Sequence, residues 1–358
     1  MLGDGSQAHA LAMTGGGGFL GWHTRVLARA RGLPGPVFVD ASAPSPAALD
    51  GADRVLHLAG VNRGDVSVNV DLAVALANAL RRCATPPKTV VFANSTQSEA
   101  ASASAYGSAK AEAAAILAEA TAWSGSEFVD LKLPNLFGEH GRPHYNSVIA
   151  TFCHVLASGG TPTVLEDRPL DLLHATDAAA LLLGLDAPDG QPVRRTVSSL
   201  AARLTELASA YRAGAIPELR DRFDVRLFNT YRSHCPVRPI PLAVHGDARG
   251  DLVEPMAAGG QTFVSSTRSG ATRGEHFHLA KVERFVVLRG DAELRLRRLL
   301  HGDVVRLRVS GRQPVAVDMP AMWAHNITNI GGGELLTLFW ANERLDPAAP
   351  DTYPEKVQ

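Results

Sequence analysis

The sequence predicts an α/β N-terminal domain of the Rossmann type, with a doubly wound parallel sheet, followed by an all-β C-terminal jelly-roll barrel. Three observations predict this. A glycine-rich turn, TGGGGFLG, occupies residues 14–21. Up to about residue 220, apolar runs alternate with Ala/Leu-rich periodic stretches, the pattern of parallel strands joined by helices. Beyond about residue 260 the texture changes to short alternating runs with brief polar breaks, the pattern of an antiparallel barrel.

A length of 358 residues suggests two domains, and 46% apolar with 20% charged residues gives both a core. In the first part, 37–40, 54–60, 89–94 and 128–133 read as buried strands. Helices are expected near 20–31, 69–83, 106–122 and 146–157. RSHCPVRPIP at 232–241 holds three prolines and little periodicity, so it marks the boundary between domains at 1–240 and 241–358. In the second part QTFVSS, RFVVLRG, AELRLRRL, DVVRLRV, PVAVDM and LLTLFW read as strands.

Lys+Arg is 35 and Asp+Glu is 36, which argues against a sequence-independent nucleic-acid binder or a polybasic membrane binder. A small anionic ligand needs only a local positive field and stays open. Cys83, Cys153 and Cys235 lie far apart without CxxC spacing, which fits reduced thiols in a cytoplasmic protein. MLGDGSQAHA lacks the basic and apolar regions of a signal peptide, and Ala178–Leu185 is too short to span a bilayer.

Gly15, Gly18 and Gly21 are spaced three apart, between an apolar stretch at 10–13 and a helix from Trp22. Such glycines let the backbone approach a pyrophosphate held at the helix N-terminus. The preceding Ala-Leu-Ala-Met is a poor strand former. Asp40 ends the second strand, where a carboxylate can bind the ribose hydroxyls, and Ala41, Ser42 and Ala43 follow without an arginine. On these residues alone the cofactor is NAD. Tyr106 and Lys110 form an i,i+4 pair after the strand at 89–94. A nearby ammonium lowers the pKa of a phenol, and Ser95 just before them can hydrogen-bond a substrate oxygen. Together they make a proton donor for a carbonyl that receives a hydride.

TGGGGFLG, HLAG (57–60), Asn69, Ser95, Tyr106/Lys110 and PNLFG (134–138) make residues 8–215 resemble the extended short-chain dehydrogenase/reductase family. The resemblance implies Ser95, Tyr106 and Lys110 as catalytic residues. It implies cofactor contacts from Gly15, Gly18, Phe19, Leu20, Gly21, Asp40, Leu58, Ala59, Gly60, Lys110 and Pro134. A nucleotide sugar would face Asn135, Arg142, Tyr145 and Asn146.

Residues 270–290 read G-x5-H-x-H-x4-E-x6-G, with His276, His278 and Glu283, and PAMWAHNITN at 320–329 adds His325. In a strand, i and i+2 share a face, so the two imidazoles point into the barrel and a neighbouring strand brings the carboxylate. Three imidazoles and a carboxylate suit Zn, Fe, Mn or Ni, with zinc the leading expectation. The segments resemble the cupin motifs, with one departure at Met322, where glycine is usual.

The combination is more specific. HLAGVNR (57–63), YNSVIATFCH (145–154), TRGEHFH (272–278), AHNITNIG (324–331) and WANERLDPAAPDTYPEKV (340–357) resemble the bifunctional capsular-polysaccharide enzymes of the CapF/WbjC type. The resemblance implies a UDP-2-acetamido-2,6-dideoxy-4-hexulose as substrate. The cupin would epimerise C3, and the reductase would then reduce the C4 ketone, toward UDP-N-acetyl-L-fucosamine for capsule or O-antigen. It implies NADPH rather than NADH, and a homodimer. The barrel base is left open among His301, Asp318 and other His or Glu groups. The alternative is a reductase whose cupin serves only as a metal-stabilised dimerisation or sensing module.

Overall fold

A computed structural model describes residues 11–99, 104–187, 191–242, 244–247, 250–253, 255 and 259–358. The leader reading of MLGDGSQAHA lies outside them. The described residues pack as two units. One comprises residues up to 137, 144–147 and 169–195; the other comprises 138–143, 148–168 and 196–358.

The first unit begins with β1 (Leu11–Thr14), α1 (Phe19–Ala30), β2 (Val37–Phe38) and β3 (Arg54–His57). It continues with α2 (Val68–Leu80), β4 (Thr89–Ser95), α3 (Ala105–Ser124) and β5 (Glu127–Leu133). The five strands form a parallel sheet in the order β2-β1-β3-β4-β5. Strand alternation supplies two apolar faces. Ala12, Val55, Val90 and Phe92 meet Leu76 and Leu80 of α2 and Leu117 of α3. Met13, Leu56 and Val91 meet Leu182, which belongs to α5 (Ala175–Leu183) after β6 (Asn135–Phe137), α4 (Val148–Ala157) and β7 (Pro169–His174). Helices therefore cover both sides of the sheet. The Ala-Leu-Ala-Met segment does form a strand, because Ala12 and Met13 are wholly buried between neighbours on both edges. Tertiary burial overrides its weak propensity.

The order reverses between β1 and β3, so the crevice of the sheet lies at their carboxyl ends. There Thr14 Oγ1 lies 2.8 Å from His57 Nδ1 and accepts from the Ala59 N–H at 3.4 Å, locking the two strand ends together. His57 is buried against the Phe92 ring. Burial, with the Lys110 charge adding, pushes its pKa down to about 3. An unfolded histidine takes its proton near pH 6.5. Between those values the unfolded chain binds more protons, so stability falls as pH drops through that window and is untouched above it. We expect His57→Asn to unfold in urea with a smaller midpoint loss between pH 7 and pH 4.5 than the wild type. Parallel losses in the two proteins would refute this role for His57.

The second unit holds α4, then α6 (Val197–Arg212) and α7 (Arg222–Arg232), which follow β8 (Val193–Thr196). Arg203 of α6 clamps Asp224 of α7 at 3.0 and 2.6 Å. The chain then runs through β9 (Ile240–Pro241), β10 (Val244–Asp247), β11 (Gly250–Val253), β12 (Gln261–Thr267), β13 (Thr272–Phe277) and β14 (Glu283–Arg289). After these come β15 (Asp291–Arg298), β16 (Val304–Ser310), β17 (Val315–Met319), β18 (Trp323–Asn329), β19 (Leu335–Ala341) and β20 (Tyr353–Pro354). Two five-stranded antiparallel sheets result, β12-β19-β14-β17-β9 and β16-β15-β18-β13-β20. Phe285, Val287, Leu294, Leu296, Val317 and Ile327 fill the space between them. α4, α6 and α7 pack in one unit with the barrel. Among the described residues, no helix is long and apolar enough to cross a membrane.

Candidate dinucleotide crevice and metal cluster

Gly15 sits at φ +70°, and a Cβ there would lie 2.5 Å from the Ala59 nitrogen. At Gly21 a Cβ would lie 2.5 Å from the Gly15 carbonyl oxygen. These two glycines thus let β1, the loop after β3 and α1 approach closely. The N-cap of α1 is Gly18, which has no side-chain cap, and no acidic residue occupies the first turn. The N–H groups of Phe19 and Leu20 at that end suit the pyrophosphate of a dinucleotide. Leu58, Ala59 and Gly60 line the end of β3, with Gly60 against Asn69, whose side chain bridges Val61 and Val66. Pro134 is half-buried between β5 and β6.

Asp40 is exposed, and its Oδ1 accepts from the Ser42 hydroxyl and N–H at 2.7 and 2.9 Å. Those bonds hold its carboxyl below the usual range. Sequence reasoning missed Arg25, one turn into α1. Its guanidinium lies 4.9 Å over the Phe38 ring, and Nη1 points to the Gly16 carbonyl at 3.4 Å. The signal was there: Arg25 is the first cation on the helix that opens at the glycine turn.

Tyr106 and Lys110 occupy the first turns of α3, whose N-cap Ser104 accepts from the Gly107 N–H at 3.1 Å. Ser95 ends β4, where Asn94 Oδ1 accepts the Ser95 N–H at 2.8 Å while Asn94 Nδ2 donates to Asp130 at 2.7 Å. Lys110 Nζ donates to the Ala93 carbonyl at 2.7 Å and sits 3.8 Å over the Phe92 ring. Burial lowers its pKa to about 7, against the pull of Asp130. The Tyr106 phenol is correspondingly not acidified: burial, and then the neighbouring Tyr145, raise its pKa. Tyr145 is thereby brought close to Tyr106. Asn135 is exposed and donates to the Asp171 carbonyl at 3.2 Å. Asn146 is exposed in the same unit, whereas Arg142, also exposed, belongs to the other.

In the barrel, one potential ligand atom from each of His276, His278, Glu283 and His325 lies within 4.8 Å of the others. His276 pairs with His325 across β13 and β18, after a bulge at Gly274, where φ is +99°. Glu283 comes from β14 in the facing sheet, not from a strand beside β13 as alternation suggested. Its Oε2 lies 2.8 Å from His278 Nε2 and 3.5 Å from His325 Nε2. The His325 Nε2 is buried without a hydrogen bond, an orphaned nitrogen facing the cluster. Burial, with His325 and His278 nearby, pushes His276 down to about 3, leaving a neutral imidazole. Against the burial that opposes its charge, Glu283 is held well below the usual carboxylate range by His278 and His325. Imidazole nitrogens and an ionised carboxylate brought together in this way are the donor set a divalent transition metal takes.

Two supports were not read from the sequence. His278 Nδ1 is 2.5 Å from the Asp351 carbonyl, which fixes the ring so that Nε2 faces the cluster. The Asp351 carboxylate accepts the N–H groups of Leu279, Ala280 and Lys281 at 2.8–2.9 Å, capping the loop between two ligands. Met322 adopts φ +62°, the left-handed conformation glycine favours, with its side chain fully buried. Its N–H donates to the His278 carbonyl at 2.7 Å, so the turn survives without glycine. Asp318 offers no free base, because Arg284 takes both its oxygens.

Comparison with known proteins follows the same division. Residues 46–197 match the NAD dependent epimerase/dehydratase family, and residues 245–353 match the polysaccharide biosynthesis C-terminal domain. A Pseudomonas aeruginosa protein named UDP-2-acetamido-2,6-beta-L-arabino-hexul-4-ose reductase is 29% identical over 95% of this chain and 97% of its own. The crystal structure of the capsular polysaccharide assembling protein CapF from Staphylococcus aureus aligns with a TM-score of 0.59 and 28% identity, over 97% of this chain and all of that one. A second crystal form of CapF gives 0.54 and 26%, over 97% of this chain and 99% of that one. The chain is similar to CapF-type proteins along nearly its whole length. It is an enzyme, an oxidoreductase whose N-terminal part matches the NAD dependent epimerase/dehydratase family and whose all-β C-terminal part fits a cupin.

Proposed function

We propose that the chain converts a UDP-2-acetamido-2,6-dideoxy-4-hexulose in two steps, C3 epimerisation in the barrel and C4 reduction in the crevice, toward UDP-N-acetyl-L-fucosamine. The observation that carries this reading is the presence, in one chain, of the Tyr106/Lys110 pair after β4 and four converging ligands in the barrel. The relative named as a reductase of a UDP-linked hexul-4-ose matches along nearly the whole length.

The C3 hydrogen is α to the C4 ketone and therefore removable. His276, His278, Glu283 and His325 would hold a divalent ion, zinc by its donor set. Such an ion, when bound, polarises a carbonyl as a Lewis acid. A nicotinamide cofactor, when bound in the crevice, would supply a hydride for C4. The Tyr106 hydroxyl gives its proton to the C4 oxygen as charge develops there, and Ser95 donates a hydrogen bond to the same oxygen. Lys110, tied to the Ala93 carbonyl, stands one turn from the phenol to hold it and the ribose in place. Gly15, Gly18, Phe19, Leu20, Gly21, Leu58, Ala59, Gly60 and Pro134 shape the cofactor cradle, and Asn135, Tyr145 and Asn146 serve the sugar nucleotide. NADPH is the donor, with Arg25 supplying the cation that the run after Asp40 lacks. Free cysteines fit a cytoplasmic enzyme, and the barrel would join two copies as a homodimer.

The test is mass spectrometry of products in deuterated water. Wild type incorporates deuterium at C3 and oxidises NADPH. His325→Ala loses C3 incorporation yet still reduces a ketone supplied already epimerised. C3 exchange that survives in His325→Ala would confine the barrel to dimerisation or sensing, leaving only the reductase.

A further inference from the structure

A second cleft of about 340 Å³ lies within the unit that contains the barrel, lined by the ends of α4, α6 and α7, the segment after α7 and β17. Its chemistry is cationic. Arg212, Arg232 and Arg238 line it, together with Tyr211 and Tyr231. The one lining carboxylate, Asp318, is already matched by the Arg284 guanidinium at 2.7 and 3.0 Å. Three guanidinium charges therefore face the space with no carboxylate left to balance them.

Arg232 is the decisive residue. It is 5% exposed, yet its Nε has no hydrogen-bond partner. Its Nη2 donates to the Met319 carbonyl at 2.8 Å and its Nη1 reaches Asn229 only at 3.4 Å. The guanidinium also lies 5.9 Å over the Tyr211 ring and 5.5 Å over the Phe228 ring. A buried donor on a full charge is costly to leave unmade. A planar guanidinium fixed by packing in the wall of a cavity is suited to a phosphate or other oxyanion. Arg212 and Arg238 are exposed at the rim and add charge without needing to be ordered.

We propose that this cleft is a binding site for a phosphate-bearing small molecule, with a diphosphate oxyanion on Arg232 and the rim arginines closing over it. Its lining residues all belong to the unit that contains the barrel and include none of His276, His278, Glu283 and His325. It stands behind that cluster: Met319, which Arg232 holds, is paired in register with Glu283, and Asp318 with Arg284. The volume accepts a nucleotide as well as a bare diphosphate.

Cys235 lines the same cleft and is half-buried, whereas Cys83 lies in the other unit. Alkylation of the full-length enzyme therefore gives a local readout. With saturating NADPH to occupy the cofactor cradle, iodoacetamide labelling of Cys235 and Cys83 is followed by peptide mass spectrometry. Inorganic pyrophosphate at ten times its dissociation constant slows Cys235 labelling about 10-fold and leaves Cys83 unchanged. UDP as a parallel probe separates a nucleotide ligand from a bare oxyanion. Arg212→Gln/Arg238→Gln, changed only at exposed positions, slows the basal Cys235 rate, because both charges favour the thiolate, and weakens the protection measured against the variant's own ligand-free rate. Arg232→Met abolishes it. Unprotected Cys235 at millimolar pyrophosphate and UDP, or equal protection in the double variant, would overturn the proposal.

Discussion

Tyr106→Phe is expected to reduce NADPH oxidation with the 4-keto sugar by about 10²–10⁴-fold, the range for losing a positioned general acid. The substitution removes one oxygen from a half-buried side chain on the first turn of α3, so folding should be intact. Cofactor affinity, read by fluorescence of bound NADPH, should stay within error. The C3 exchange in the barrel should continue, because Tyr106 and the metal ligands belong to different units. Its pH profile carries a second signature. Burial and Tyr145 raise the phenol pKa, so the proton is held throughout the neutral range and donation does not fade there. Lys110, with a pKa near 7, changes charge in that range instead. A variant that reduces the ketone at wild-type rate would remove Tyr106 from the chemistry.

Arg284→Met is expected to destabilise the barrel unit by about 3–5 kcal/mol, the cost of leaving one member of a buried ion pair without its partner. Arg284 is 2% exposed and makes three good bonds, two to Asp318 and one to the Gly214 carbonyl at 2.9 Å. Without it the Asp318 carboxylate remains buried and unneutralised. Arg284→Met/Asp318→Leu should recover most of the loss, since an apolar pair of similar volume is often no worse than the ion pair it replaces. Urea unfolding followed by near-ultraviolet circular dichroism measures both. Equal losses in the single and double variants would mean that the Gly214 bond, rather than the ion pair, holds the stability.

Local pattern carried most of the fold. Period-two runs such as RFVVLRG and AELRLRRL became β14 and β15, and the glycine turn lies between β1 and α1. The convergence of the four barrel residues was legible because three lie within eight residues and the fourth sits in a recognisable turn. What could not be read depends on distant partners. Lys110 bonds to Ala93, 17 residues before it, under a ring whose placement depends on the whole sheet. Glu283 belongs to the sheet opposite His276, because strands adjacent in a jelly roll's sequence alternate between its layers. The union of α4, α6 and α7 with the barrel rests on single contacts such as Asn229 Nδ2 to the Ala280 carbonyl at 2.6 Å, which no periodicity encodes.

The hold of Asp351 on His278 also sets an order of events during synthesis. Asp351 emerges from the ribosome 73 residues after the histidine it orients. Until then the imidazole lacks the carbonyl that orients it and the loop beyond it lacks its carboxylate cap. The crevice residues, by contrast, are all translated more than a hundred positions earlier. A nascent chain can thus complete its parallel sheet before the four clustered barrel residues have gained the support of Asp351.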